Sequence, residues 1–206
     1  MDNTQYVPEQ VEGKETDVVA EQMLSDMQSA QHFFIKVKER LLNVNNWHKI
    51  CKIEASTFTL VDENATRANS LAKVGHYLKI DIPGPGSSVG GGFDWVKIES
   101  IEEIINEKMD KEVLVMRVRP AMNPEKPAES IAHFLNDKAT STFIVARQGN
   151  LVASEVHGRN EIPNTSTNNL LDKVRNVVIG TGALLGISIL QWKLLTEGII
   201  SLSKKK

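Results

Sequence analysis

The 206-residue sequence has little cysteine, few aromatic residues and no strong excess of either charge. Its single cysteine, Cys51, excludes an intrachain disulfide and fits a reducing compartment. Aromatic residues make up 5% of the chain, so aliphatic side chains must fill most of the core that a hydrophobic content of 41% allows. A net charge of −2 creates no field that would attract nucleic acid or an anionic membrane. We therefore expect no nucleic-acid partner.

The first residues lack the basic start and the apolar stretch of a secretory signal. Residues 2–17 instead carry five acidic residues and one lysine. We predict a mobile acidic leader over residues 1–18, a single domain over 19–201 and a basic tail over 202–206. A cytoplasmic location is the default expectation.

The sequence lacks the residue spacing that several kinds of binding and catalytic site require. The glycine-rich stretch 84–92 leads into a strand pattern, whereas phosphate loops and dinucleotide fingerprints lead into a helix. It is interpreted as a long flexible hairpin loop, with a lid over a pocket as the alternative. The five histidines show no metal-ligand spacing, and no G-x-S-x-G motif occurs. We expect no metal and no cofactor, and the sequence favours a non-enzymatic protein.

Hydrophobic periodicity predicts helices at both ends of the chain. Apolar residues recur every three or four positions from Val18 to Asn46, with Asp17 as the predicted N-cap. A second helix is predicted from Asn169 to about Ser201. It contains fourteen uncharged residues, Val177–Leu190, fewer than the about 20 that cross a bilayer. We consider a buried helix, a membrane-associated anchor over residues 177–200, and an oligomer interface.

The middle of the chain alternates between apolar and polar residues in the manner of strands. The clearest pair flanks Gly149-Asn150, which offers the positive φ angles of a tight hairpin turn. Strand and helix segments do not alternate as parallel βαβ units require. The predicted fold is α+β, with a twisted antiparallel sheet of about six strands and an N-terminal and a long C-terminal helix packed on one face. The six strands are predicted at 51–61, 76–82, 93–101, 112–119, 140–148 and 151–160.

This order of elements resembles the helix-grip fold of the START-like and polyketide-cyclase-like superfamily. Those proteins have a strand, a helical pair, six further strands and a long C-terminal helix. The resemblance covers about residues 18–201 and implies an apolar ligand cavity between the sheet and that helix. The first strand is not visible in the sequence pattern, and only residues 5–11 could supply it. The resemblance transfers no site residues.

The most suggestive polar residues lie near the ends of two predicted strands. Glu155, His157 and Arg159 share one strand face with Glu161, and Arg117 shares another with Arg119. If these faces line the interior, the cavity has a charged mouth suited to an amphipathic ligand. The alternatives are an outer face with cross-strand ion pairs and acid–base catalysis by His157. The predicted ligand-binding residues are Arg117, Arg119, Glu155, His157, Arg159 and Trp95.

Three functional hypotheses follow. The first is a binding module that holds a small apolar or amphipathic ligand. The second is a membrane-associated protein anchored by residues 177–200. The third is a cyclase- or hydrolase-type enzyme that uses His157. A homo-oligomer is compatible with each of them.

Overall fold

The structure, a computed structural model, describes residues 1–51, 56–82, 87–126, 130–165 and 183–202. A strand is followed by two helices, six further strands and a C-terminal helix, which is the element order of the helix-grip fold. The resemblance inferred from the sequence is therefore confirmed at the level of architecture. The elements are β1 (Lys14–Met23), α1 (Met27–Leu42), α2 (Trp47–Cys51), β2 (Thr57–Val61), β3 (Tyr77–Asp81), β4 (Asp94–Asn106), β5 (Lys111–Pro120), β6 (Thr140–Gln148), β7 (Leu151–Glu161) and α3 (Ala183–Ile199).

The strands form one antiparallel sheet of seven in the order β1-β7-β6-β5-β4-β3-β2. The predicted α+β class and antiparallel sheet are confirmed, with one strand more than expected. Gly149, at φ 59°, forms the predicted tight turn between β6 and β7. The glycine-rich stretch joins the paired strands β3 and β4, as predicted for a hairpin loop; its residues 84–86 lie outside the described part of the chain.

The predicted helix over 18–46 is correct only in its second half. Helix α1 begins at Met27, where the carboxylate of Asp26 accepts a hydrogen bond of 2.7 Å from the backbone N–H of Ser29. The predicted cap, Asp17, lies within β1 instead. Val19 and Met23 matched the helical spacing but are exposed residues of this strand. Alternation over ten residues was therefore mistaken for the first turns of the helix.

The predicted leader over residues 1–18 is also wrong as a boundary, because β1 begins at Lys14 and pairs with β7. The missing first strand of the fold is thus β1 and not residues 5–11. Residues 1–13, here called the N-terminal segment, lie against the sheet. Backbone N–H groups of Val11 and Glu12 donate to the side-chain oxygen of Asn160 at 2.8 and 3.1 Å.

The two faces of the sheet are covered differently. The inner face packs against α1 and α3 and contributes Met116, Phe143 and Val156 to the main hydrophobic core. The outer face carries a smaller cluster of apolar residues, on which Met1, Tyr6 and Val7 of the N-terminal segment pack. Members of this cluster are Val113, Val115, Ile144 and Ala146.

Helix α3 lies within the predicted C-terminal helix, whose residues 169–182 fall outside the described part of the chain. Leu195 and Ile199 are buried in the main core, whereas Ile189 and Leu190, the last two residues of the uncharged stretch, are 45% and 47% exposed. In its described part the helix therefore buries one side and is not buried all round. No helix in the described ranges combines the length and the apolar character needed to cross a membrane.

Candidate functional site: a cavity beneath the C-terminal helix

A cavity of about 70 Å³ lies between the inner face of the sheet and α3. Strands β2 to β7 supply its floor and walls, and α3 contributes Gln191 and Trp192. Its apolar lining follows from strand alternation, because every second residue of a strand faces the helix. The lining residues are Ser56, Phe58, Leu78, Ile80, Ile82, Val96, Val118, His133, Phe134, Leu135, Ser141, Phe143, Glu161, Gln191 and Trp192.

Aromatic rings form one wall of the cavity. The ring centroids of Phe143 and Trp192 are 5.3 Å apart in an edge-to-face arrangement, and those of Phe58 and Trp192 are 5.8 Å apart. Trp47 packs behind this wall, with its ring centroid 5.3 Å from both phenylalanines. These contacts give a wall of fixed shape built from few aromatic residues.

Gln191 brings an amide into this apolar space. It is 3% exposed, and its Nε2 donates to the Sγ atom of Cys51 at 3.4 Å. Its Oε1 has no hydrogen-bond partner among the described residues. Burial of the thiol raises the pKa of Cys51 to about 11, so this cysteine is protonated and unreactive at neutral pH. A buried amide oxygen without a partner carries a desolvation cost that a bound donor would offset.

Glu161 places a carboxyl group at the cavity. By alternation it should share the outer face with Arg159, but the left-handed conformation of Asn160, at φ 56°, turns the chain between them. Gly158 leaves room for the inward side chain, since an added Cβ would lie 2.3 Å from Glu161 Oε1. The hydroxyl of Thr16 donates to Glu161 Oε2 at 2.8 Å. Burial raises the pKa of Glu161 above 4.5, against the lowering effects of Thr16 and Arg159.

His133 also lines the cavity. Its Nδ1 accepts a hydrogen bond of 3.0 Å from the backbone N–H of Leu135, so a neutral ring carries its proton on Nε2. Its ring stacks on Phe134, with the centroids 4.4 Å apart. The histidine is thus held in one orientation by the loop before β6.

None of the six predicted ligand-binding residues lines this cavity. All six lie on the outer face because they alternate with the inward residues of the same strands. The guanidinium group of Arg117 donates to the carbonyl of Tyr6 at 2.9 Å. Arg119 pairs with Glu99 at 2.5 Å, and Trp95 donates from its indole N–H to the carbonyl of Gly90 at 2.9 Å.

The other three predicted residues belong to a buried ion-pair network. His157 is 3% exposed, and its Nδ1 and Nε2 lie 2.6 Å from Asp17 and 2.8 Å from Glu155. Arg159 pairs with the same Asp17 at 2.8 Å, and the amide of Asn3 donates to Glu155 at 2.6 Å. This face therefore holds cross-strand ion pairs, the alternative to a cavity mouth. The chain itself buries Glu155, His157 and Arg159, whereas the side chain of Asp17 is 47% exposed.

Protonation of His157 follows from its partners. Burial lowers the pKa of His157, but hydrogen bonds to Glu155 and Asp17 outweigh that effect and raise the pKa above 6.5. Hydrogen bonds from His157 and Arg159 likewise lower the pKa of Asp17, although burial opposes them. With both ring nitrogens engaged by carboxylates, His157 has the geometry of a structural cation and not of a general base.

In the described ranges, no three His, Cys, Asp or Glu side chains are placed to hold a metal ion.

The cavity residues that sequence reasoning missed are Glu161 as an inward group, Gln191 and Trp192. The last two sit in α3 without any motif. For Glu161 the Gly158-x-Asn160 pattern was a usable signal, because both residue types favour unusual backbone geometry.

Comparison with solved structures finds similar chains. The ginseng major latex-like protein 151 from Panax ginseng is 14% identical, with 82% of this chain and 94% of that chain covered and a TM-score of 0.30. Ara h 8.0201 is 12% identical, with coverages of 88% and 99% and a TM-score of 0.29. At these scores the likeness carries no argument about function, and the fold assignment rests on the element order above. No protein-family model and no curated protein matches the sequence.

Proposed function

We propose that the protein binds a small amphipathic molecule in the cavity between the inner face of the sheet and α3. The observation that carries this proposal is an apolar cavity that also holds two buried polar groups: the amide oxygen of Gln191, which has no partner among the described residues, and the carboxyl group of Glu161, to which Thr16 donates. Binding sites for small molecules typically combine an apolar lining with a few polar groups that fix orientation. A ligand of this kind would bury its apolar part against Phe58, Phe143 and Trp192.

The size of the cavity restricts the part of a ligand that it encloses. An apolar cavity of about 150 Å³ is enough for benzene in an engineered protein. A volume of about 70 Å³ therefore suits a short alkyl chain or a similar small group in this conformation. We take n-butanol as a small probe that has both an apolar body and a hydrogen-bonding group.

Three tryptophan side chains make the test selective. We would titrate ¹⁵N-labelled full-length protein with n-butanol and follow the indole N–H signals by NMR. The Trp192 signal should shift and saturate because its ring lines the cavity. The Trp95 signal should stay in place because that indole is on the outer face, bonded to Gly90.

A filled cavity provides the control. Ser141→Phe places a ring into the cavity and should abolish the saturable shift, and Val118→Leu is a milder filling variant. Ile105→Phe adds the same ring at a position that is 65% exposed, so binding should be unchanged. Equal shifts in wild type and Ser141→Phe would overturn the proposal, as would the absence of a saturable shift in the wild type with n-butanol and with charged compounds that carry the same butyl chain.

The two alternatives from the sequence have less support. The enzyme hypothesis depended on His157, which is buried on the outer face away from the cavity. The membrane-anchor hypothesis depended on residues 177–200, whose described end packs into the core through Leu195 and Ile199. No specific observation favours either of them over the cavity.

A further inference from the structure

Glu161 is the one acidic residue among the described residues that line the cavity, and the local structure is built to hold its carboxyl group there. The positive φ of Asn160 turns the side chain inward, and the missing Cβ of Gly158 makes room for it. Thr16 donates to one of the two carboxylate oxygens. The side chain is 9% exposed, so this arrangement removes an acidic group from water at a substantial cost.

Within the described ranges, no cation forms an ion pair with this carboxyl group, although the charges of Arg159 and of Lys14 on the paired strand act to lower its pKa against the larger effect of burial. Arg159 is its neighbour in sequence, but that guanidinium group pairs with Asp17 and also donates to the carbonyls of Gly158 and Thr16 at 2.7 and 3.3 Å. The outer-face carboxylate of Glu155 is buried too, yet it has both His157 and Asn3 as partners. Glu161 differs from Glu155 in having only a hydroxyl donor and a cavity beside it.

The charge of the lining also restricts the ligand. The apolar body of the cavity would accept the alkyl or aryl part of a ligand whatever the charge of its head group. A carboxylate or phosphate head group would meet Glu161 with the same sign of charge, which disfavours it. A protonated amine would supply the missing cation and make a charge-assisted hydrogen bond to the carboxylate oxygen.

We propose that the ligand of this cavity is an amphipathic amine, whose ammonium group binds the carboxylate of Glu161 while its apolar part lies against the aromatic wall. This proposal rests on the proposed function above and adds the chemical class of the ligand. A neutral alcohol can also donate to Glu161, but it would leave the charge uncompensated.

The test compares three probes that share a butyl chain: n-butylamine, n-butanol and butyrate. At pH 7.5 they are a cation, a neutral molecule and an anion. In wild-type protein, titrations that follow the Trp192 indole signal should show butylamine binding about tenfold or more tighter than butanol, and butyrate weakest. In Glu161→Gln the preference for the amine should disappear, whereas butanol affinity should change by less than about threefold.

Matched variants keep the result interpretable. Glu99→Gln removes a half-exposed carboxylate on the outer face, and the amine preference should be retained. Should Glu161→Gln fail to fold, Glu161→Asp withdraws the carboxylate by one methylene and should reduce the same preference.

The outcomes separate the two proposals. Butanol binding without any preference for butylamine, or butyrate binding as tightly as butylamine, would overturn the amine assignment and leave the binding function standing. No binding of any of the three probes would overturn both.

Discussion

Both faces of the sheet hold buried residues, but these are covered by different parts of the chain and carry different chemistry. The inner face is apolar, is covered by α1 and α3, and encloses the cavity with Glu161. The outer face is covered by the N-terminal segment and holds the network of Asp17, Glu155, His157 and Arg159. Charge on the outer face is paired within the protein, whereas the carboxyl group of the inner face lacks an ion-pair partner among the described residues. In this protein the dense cluster of charged residues therefore stabilises the fold, whereas the single carboxyl group on the inner face belongs to the candidate site.

The largest expected effect comes from breaking the outer-face network. Glu155→Ala leaves the charged His157 with Asp17 as its only carboxylate and removes the acceptor of the Asn3 amide. Because the buried His157 loses one of its two carboxylate partners and the buried amide of Asn3 loses its acceptor, the free energy of unfolding should fall by about 3 kcal/mol. Chemical denaturation at pH 6 measures this change.

An exposed pair supplies the matched control for that loss. Glu99→Ala removes a carboxylate from the pair with Arg119, in which both side chains are 35% exposed, and should cost less than about 1 kcal/mol. Equal losses for the two variants would mean that the outer-face network is open to water and that the contrast between the faces is wrong.

A smaller effect tests whether the N-terminal segment buries the outer face as fully as the helices bury the inner face. Val118 and Val115 alternate on β5, face opposite sides of the sheet and are 3% and 2% exposed. Each substitution to alanine should lower the free energy of unfolding by about 1.5 kcal/mol, because two buried carbons are lost. In a variant lacking residues 2–11, the cost of Val115→Ala should shrink toward zero, while that of Val118→Ala should persist.

Much of the architecture could be predicted from the sequence because long strands have a period of two. The hairpin of β6 and β7 was predicted almost to the residue, since Gly149-Asn150 fixes its turn. The beginning of the chain could not be predicted in this way. Strand β1 has exposed apolar residues at Val19 and Met23, so its pattern merges with the buried stripe of α1. Only the pairing of β1 with β7, a contact distant in sequence, distinguishes the two.

The site was harder to predict, for a related reason. Alternation correctly placed Glu155, His157 and Arg159 on one face, but it does not say which face is turned toward the helices. The outer face carries apolar residues such as those of a cavity wall because the N-terminal segment packs on it and buries them. Glu161 was grouped with the outer face because strict alternation takes no account of the left-handed turn at Asn160. Gln191 and Trp192 depend on how α3 is rotated against the sheet, which is a property of packing.

A third effect should appear as a pH dependence of stability from the outer face. The pKa of His157 is raised in the folded protein, since Glu155 and Asp17 outweigh burial. Its contribution is fully present below about pH 6.5, the unfolded value, and is lost as the pH rises through the folded pKa. In that window stability should fall by at most about 1.4 kcal/mol per pH unit. Denaturation midpoints from pH 5.5 to 9 should show this slope in wild type and lose it in His157→Gln.

The smallest effect tests the inner face by itself, without ligand. Burial raises the pKa of Glu161 above 4.5, so its contribution to stability is present below that pH and is lost as the pH rises through the folded pKa. Glu161→Gln keeps the shape of the side chain and an acceptor for Thr16, and it removes the charge. At pH 7.5 the melting temperature of this variant should therefore exceed that of wild type by a few degrees, and the difference should vanish near pH 4. A lower melting temperature at pH 7.5 would show that the carboxylate has an ion-pair partner in the folded protein and is not held in the cavity for a ligand.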